Sequence, residues 1–339
     1  MWDFTELHVR SHCYAGFMST VLSHSSALDV WARAAASGAD AATIPHVLRV
    51  PRFDAAAALR IPQPDRPYSC AHILVPEAEA RRRAPGVAFH VWSRPLPPCS
   101  LAQIDDDVFV STPEFLFLQA AFRLPFVRLL EFGYELCALY TLRLPGGKLT
   151  ELVHPMTSAR EIELYLSACA GAPGIRNART AAAWILDRSR SPRESKIAIS
   201  MTLPRMRGGQ AVRGVELNAC VPLADYEQKV AGKQYFEIDM YSERGKVAFE
   251  YYGKDAHEGR IRETRDIRRE SILASKGISV HGVTKSQAEN AMELERLAKL
   301  LKDVRGERWH NPTPEQEAKM RWLLNELYGK PDTAGQYGF

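Results

Sequence analysis

The chain has 339 residues, 46% of them hydrophobic, and a formal net charge of +4. That is enough apolar material for a real core and for two domains rather than one, while the small net charge excludes a polycation, so any nucleic-acid surface must be local. The six cysteines, Cys13, Cys70, Cys99, Cys137, Cys169 and Cys220, are scattered with no CxxC pair, which argues for buried thiols and against a zinc site or a disulfide framework.

The opening MWDFTELHVRSH lacks a basic stretch followed by an apolar run, so no signal peptide is expected and the chain is expected in the cytoplasm. HSSALDVWARAAA and PEFLFLQAAF read as helices, CAHILV and VAFHVW as strands. The apolar stretch from Phe115 to Tyr140 is broken by Arg123, Arg128 and Glu131, which fits a core helix pair better than a membrane span. His24, His46, His72 and His90 are dispersed and read as core or surface residues. SAREIELYLSACAGAPG then predicts a helix with a Ser158/Glu161 capping box, stopped by Gly171, Pro173 and Gly174. These signals predict an α+β domain over 1–155, a helical linker over 156–190 and a second domain over 191–339. In the second domain the pattern predicts helix 191–203, strands 214–220, 234–240 and 246–252, helix 258–275, strand 278–283, and appended helices 285–303 and 313–328. That is an α/β order, αβββαβ, with a mixed sheet covered on both sides.

FEIDMYSERGKVAFEYYG (236–253) reads as two strands and a tight turn, each strand carrying one carboxylate. With the turn centred on Glu243 and Arg244, Asp239 is expected to face Ala248, with Glu250 one diagonal step away. Glu250 sits among Val247, Phe249, Tyr251 and Tyr252, where an isolated carboxylate is unfavourable unless paired or bound to a metal. Oxygen ligands of this kind suit Mg²⁺ or Mn²⁺. The competing expectation is a surface hairpin whose acids pair with Lys246, Arg244 or Lys254.

Asp239, Glu250 and Tyr252 in this spacing, after a helix with Glu194 and before GKDAHE and an Arg-rich helix, resemble the PD-(D/E)XK restriction-endonuclease-like fold. VAFEYYGKDAH followed by RETRDIRRESILASKGISVHGVT is similar, more narrowly, to the Vsr-like endonuclease branch over about 190–285. The resemblance implies a restriction-endonuclease-like αβββαβ core, with Asp239 and Glu250 as metal ligands, Glu194 helping to position metal or water, and His257 as proton donor or supporting group. It also implies a DNA phosphodiesterase using Mg²⁺ or Mn²⁺, in a defence, mobile-element or repair setting. Where the family carries Lys or Asp, this chain has Tyr252, which neither ligates a hard metal well nor serves readily as a base. Lys254 is the first candidate to compensate, with Lys246 and Asp255 behind it. The alternative is a regulator or antitoxin-like module that keeps the nuclease fold for binding after losing the third catalytic group.

Glu194 also stands at N3 of SPRE, where a capping role suffices. Arg262, Arg265, Asp266 and Arg269 share one helix face, as a solvated ion-pair face or as phosphate contacts beside the sheet. RMRGGQAVRG carries Arg205 and Arg207 in a Gly-rich loop without a Walker signature, either a DNA-contacting loop or a linker. LSHSSALDVWA and VFVSTPEFLFLQAA are similar to segments of the AbiEi-type antitoxin family, and read equally as Ser-capped core helices. The winged helix that this resemblance would place ahead of them is not expected in the first 20 residues. Residues 1–155 are therefore expected to bind a protein partner or to shape the substrate groove, and two-strand cleavage implies a homodimer.

Overall fold

The chain divides between Ala183 and Trp184 into two units, seen in a computed structural model that describes residues 18–38, 46–47, 52–53, 70–144, 148–252 and 260–329. In the first unit, the strands His46–Val47, Leu101–Asp105, Val108–Ser111, Met18–Leu22, Ala71–Val75 and Val87–Val91 follow one another across a mixed sheet, with Arg52–Phe53 beside Met18–Leu22. The helices His24–Ser37, Pro113–Ala121 and Phe126–Leu136 bury Trp31, Phe115, Phe117, Phe132 and Tyr134. Trp31 satisfies its indole N–H on the Ser111 carbonyl at 2.8 Å. The expected helix pair over 115–140 is thus present. No helix among the described residues is long and apolar enough to cross a membrane.

The segment 156–190 does not behave as a linker. Its helices Ala159–Ser167 and Ile175–Ala182 bury Ile162, Tyr165, Leu166, Ala178, Ala181 and Ala182 and pack on Pro113–Ala121 and Phe126–Leu136. Their apolar stripes need that partner, so the division falls after them. The Ser158/Glu161 capping box forms as expected, with Glu161 N–H on Ser158 Oγ at 3.2 Å and Ser158 N–H on Glu161 Oε2 at 3.0 Å. Three of the four histidines, His24, His72 and His90, are not dispersed in space: His24 stacks on His90 at 3.5 Å between ring centroids, and His72 Nδ1 meets His90 Nε2 at 2.9 Å. Burial is the main cause that pushes all three pKa values down, His90 to about 4.

The second unit has the predicted order with one insertion. Its elements are α1 Pro192–Thr202, β1 Glu216–Pro222, α2 Asp225–Ala231, β2 Tyr235–Ser242, β3 Val247–Tyr252, α3 Arg260–Ser275, β4 Ser279–Thr284, α4 Lys285–Ala288, α5 Ala291–Val304 and α6 Pro314–Tyr328. The sheet order is β1-β2-β3-β4, antiparallel through β3 and parallel between β3 and β4. A parallel pair needs a crossover, which α3 supplies. Phe236, Ile238, Ala248, Leu273 and Ile278 form the core between sheet and α3. The inserted α2 starts where Glu227 Oε2 accepts the Ala224 N–H at 2.7 Å and stops at Gly232, φ 66°. The helix expected over 285–303 is broken because Asn290 Oδ1 accepts from Met292 and Glu293 N–H and starts a new one.

RMRGGQAVRG is a packed connection. Gln210 N–H bonds Ser200 O at 2.9 Å and Val212 N–H bonds Met201 O at 2.8 Å, folding the loop back on α1. A Cβ at Gly209 would stand 2.1 Å from the Leu203 carbonyl oxygen. Gly209→Ala is therefore expected to lower stability by about 2–3 kcal/mol through overpacking against backbone; an unchanged urea midpoint would show that the loop closes some other way.

Candidate functional site

The turn between β2 and β3 spans residues 243–246, with Gly245 at φ 99° and Lys246 at φ 49°. This is a longer turn than one centred on Glu243 and Arg244, and it shifts the expected register. Tyr241, not Asp239, faces Ala248, and Met240 faces Phe249. Continuing that register sets Asp239 beside Glu250 directly rather than on a diagonal. The ladder gives way there on both sides. Toward β3, the Tyr251 N–H leaves the backbone pattern and donates to Asp239 Oδ2 at 2.7 Å. Toward β1, pairing skips Asn218, which lies between the Leu217–Met240 and Ala219–Ile238 pairs in the left-handed region at φ 47°. A break in backbone pairing leaves polar groups that side chains can engage, a common way for a sheet to re-aim a functional residue.

Glu194 adds a third carboxylate from the first turn of α1. Its Oε1 accepts from Ser191 Oγ at 2.8 Å, and its Oε2 accepts from Arg190 N–H and Asn218 Nδ2, each at 2.8 Å. The helix-cap role and the site role therefore coincide in one side chain. Glu194, Asp239 and Glu250 line one small cavity with Ile197, Leu217, Met240, Phe249, Tyr251 and Val283. Burial is the main cause that raises all three carboxyl pKa values. For Glu250 the Asp239 charge adds to burial, Arg269 opposes, and the result is about 7. These acids are held close and short of positive charge.

Arg269 on α3 answers part of that deficit. One nitrogen, Nη2, donates to Glu250 Oε1 and to the Glu237 carbonyl, both at 2.6 Å, while the guanidinium lies 5.5 Å from the Phe236 ring centroid. Arg190 pairs with the Glu237 carboxylate at 2.7 Å. The sequence left Arg269 on a face read either as solvated ion pairs or as phosphate contacts, and neither reading included its hold on Glu250. Asn218, Arg190 and Glu237 were also missed.

The other candidates divide. Lys254, Asp255 and His257 lie outside the described residues. Arg262 and Arg265 belong to α3, with side chains outside the described residues. Lys246 sits in the turn rather than on the β3 face, and its Nζ donates to Lys276 O at 3.1 Å. Arg205 donates to His310 O and lies 4.4 Å from the Trp309 ring centroid, so its named contacts are with the segment between α5 and α6. Arg207 is in the same short turn, Arg205–Arg207. The Tyr252 ring lies over Gly282 of β4, where a Cβ would stand 2.1 Å from the ring. The glycine admits the tyrosine.

Among the described residues no group of three or more His, Cys, Asp or Glu stands in position to hold a metal ion. Glu194 is committed to its cap and to Asn218, which leaves Asp239 and Glu250 as ligand candidates. Each gives one oxygen to a protein donor and keeps a second oxygen for an incoming cation. Such a donor set fits Mg²⁺ or Mn²⁺, hard ions commonly held by one or two carboxylates plus water and substrate phosphate. Compared with family models, with curated proteins and with solved structures, the chain matches none.

Proposed function

We propose that the second unit is a metal-dependent endonuclease of the PD-(D/E)XK type that hydrolyses DNA phosphodiester bonds. The observation that carries this reading is the meeting of Asp239 and Glu250 at a break in backbone pairing, beside Glu194, in an αβββαβ frame. Asp239 and Glu250 would hold Mg²⁺ or Mn²⁺, which when bound would supply positive charge for the phosphate and a more acidic water. Glu194, held by Ser191, Arg190 and Asn218, fixes the third wall of the cavity and adds negative charge beside the pair. The Tyr251 N–H holds the Asp239 carboxylate in one orientation, so the pair is preorganised. Lys254 and His257 follow β3 in sequence and are the candidates to stabilise and protonate the leaving oxygen.

Two observations favour a second reading. The guanidinium of Arg269 partly neutralises Glu250, and Tyr252 stands at the third family position, as in a nuclease fold kept for binding alone. Plasmid, linear duplex and single-stranded DNA incubated with Mg²⁺ or Mn²⁺ separate the two. Cleavage that a chelator stops, and that Asp239→Ala abolishes, supports the enzyme. Linear plasmid product reports two copies acting together, nicked product one. DNA binding with steep salt dependence and no cutting supports the binding module.

A further inference from the structure

The position two residues after Glu250 supplies no cation, because Tyr252 fills it and lies over Gly282. Lys246 is spent on Lys276 O, and Arg190 on Glu237. Among the described residues, Arg269 is the cation that touches the acid pair, at 2.6 Å from Glu250 Oε1. Resting on the endonuclease reading above, we propose that Arg269 is an exchangeable cation that holds Glu250 while no divalent ion is bound and turns its guanidinium to a substrate phosphate oxygen once Glu250 is drawn to the ion.

The side chain is built for both positions. Both of its contacts use Nη2, so Nε–H and Nη1–H₂ are the remaining donors of a planar fork that matches a phosphate. The Phe236 ring gives the guanidinium a ledge to slide on, and 25% exposure of the side chain leaves the head a path to solvent. The Glu237 carbonyl tethers the same nitrogen, so Arg269 is guided rather than loose. A guanidinium and a divalent ion are both attracted to the Glu250 carboxylate, and only one can hold it fully. The arrangement keeps the buried acid pair compensated in the empty protein and presents positive charge to the phosphate in the loaded one.

Exchange makes two measurable demands on the full-length chain. In calorimetric titration with Mn²⁺, Arg269→Gln is expected to bind about tenfold tighter than wild type, because an internal competitor held by a charge-assisted bond is gone; Arg269→Lys is expected in between and Glu250→Gln to lose binding. In the second measurement, a duplex oligonucleotide is bound with Ca²⁺ or with chelator. Arg269→Gln is expected to weaken DNA binding several-fold with Ca²⁺ and little without it. Equal or weaker Mn²⁺ affinity in both Arg269 variants, or equal DNA weakening with and without Ca²⁺, overturns the exchange while leaving the metal site intact. If no variant and no wild-type sample binds Mn²⁺, the two-carboxylate site itself fails, and the exchange with it.

Discussion

Glu250→Gln is expected to lower DNA cleavage at least about a thousandfold and, at the same time, to stabilise the metal-free protein above pH 7 by up to about 3 kcal/mol. The first effect removes one of two ligands. The second follows from the raised carboxyl, about 7 in the folded chain against 4.5 ordinarily. Below pH 4.5 the carboxyl is protonated in both states and nothing is lost. Between pH 4.5 and 7 the unfolded chain releases the proton while the folded chain keeps it, so stability falls through that window and stays low above it. Asp239 and Glu194 are shifted upward as well and add in the same sense. Urea midpoints across pH 4 to 8 should therefore decline for wild type and flatten for Glu250→Gln, and Mn²⁺ should restore wild type alone. A variant that declines as wild type does would locate the lost stability elsewhere. Opposite signs for activity and stability are what a functional acid pair demands and what a structural ion pair does not.

Most elements of the second unit were legible because their signals are local, period-2 apolar runs and the S-P-R-E helix start, whereas the short helix Asp225–Ala231 and the break at Asn290 were not. The register of the hairpin was not, because Gly245 and Lys246 adopt left-handed backbone and lengthen the turn beyond Glu243 and Arg244. That error hid how close Asp239 and Glu250 come. Asn218 carried no signal, since an Asn in a strand run says nothing of a partner 24 residues earlier, and Arg190 reaches Glu237 across 47 residues. The histidine stack was hidden in the same way, with His72 and His90 on neighbouring parallel strands. Residue types at a site can be read from sequence. The contacts that set their charge are made between distant segments.

Arg305→Ala is expected to cost about 3 kcal/mol of stability, a loss of the size usually reserved for truncations in the core. Arg305 ends α5 and is 9% exposed. Its Nε donates to Ser242 Oγ at 3.0 Å and Arg244 O at 2.9 Å, its Nη1 to Arg213 O at 2.5 Å, and its Nη2 to Gly214 O at 2.9 Å and to Ser242 Oγ. Truncation removes the donors to the Arg213 and Gly214 carbonyls, while the Arg244 carbonyl keeps the Ser242 hydroxyl at 2.6 Å. Lysine cannot restore them, because one ammonium does not span the fork, so Arg305→Lys is expected to recover less than half of the loss. These bonds tie α5 to the β2 side of the β2–β3 turn and to the approach to β1, next to the strands whose register sets Asp239 beside Glu250. The loss should therefore appear twice: as a lower urea midpoint, and as weaker Mn²⁺ binding at temperatures where the variant is still folded. A folded Arg305→Ala with unchanged Mn²⁺ affinity would mean that strand pairing alone fixes the turn, and that the guanidinium contributes stability without setting the site.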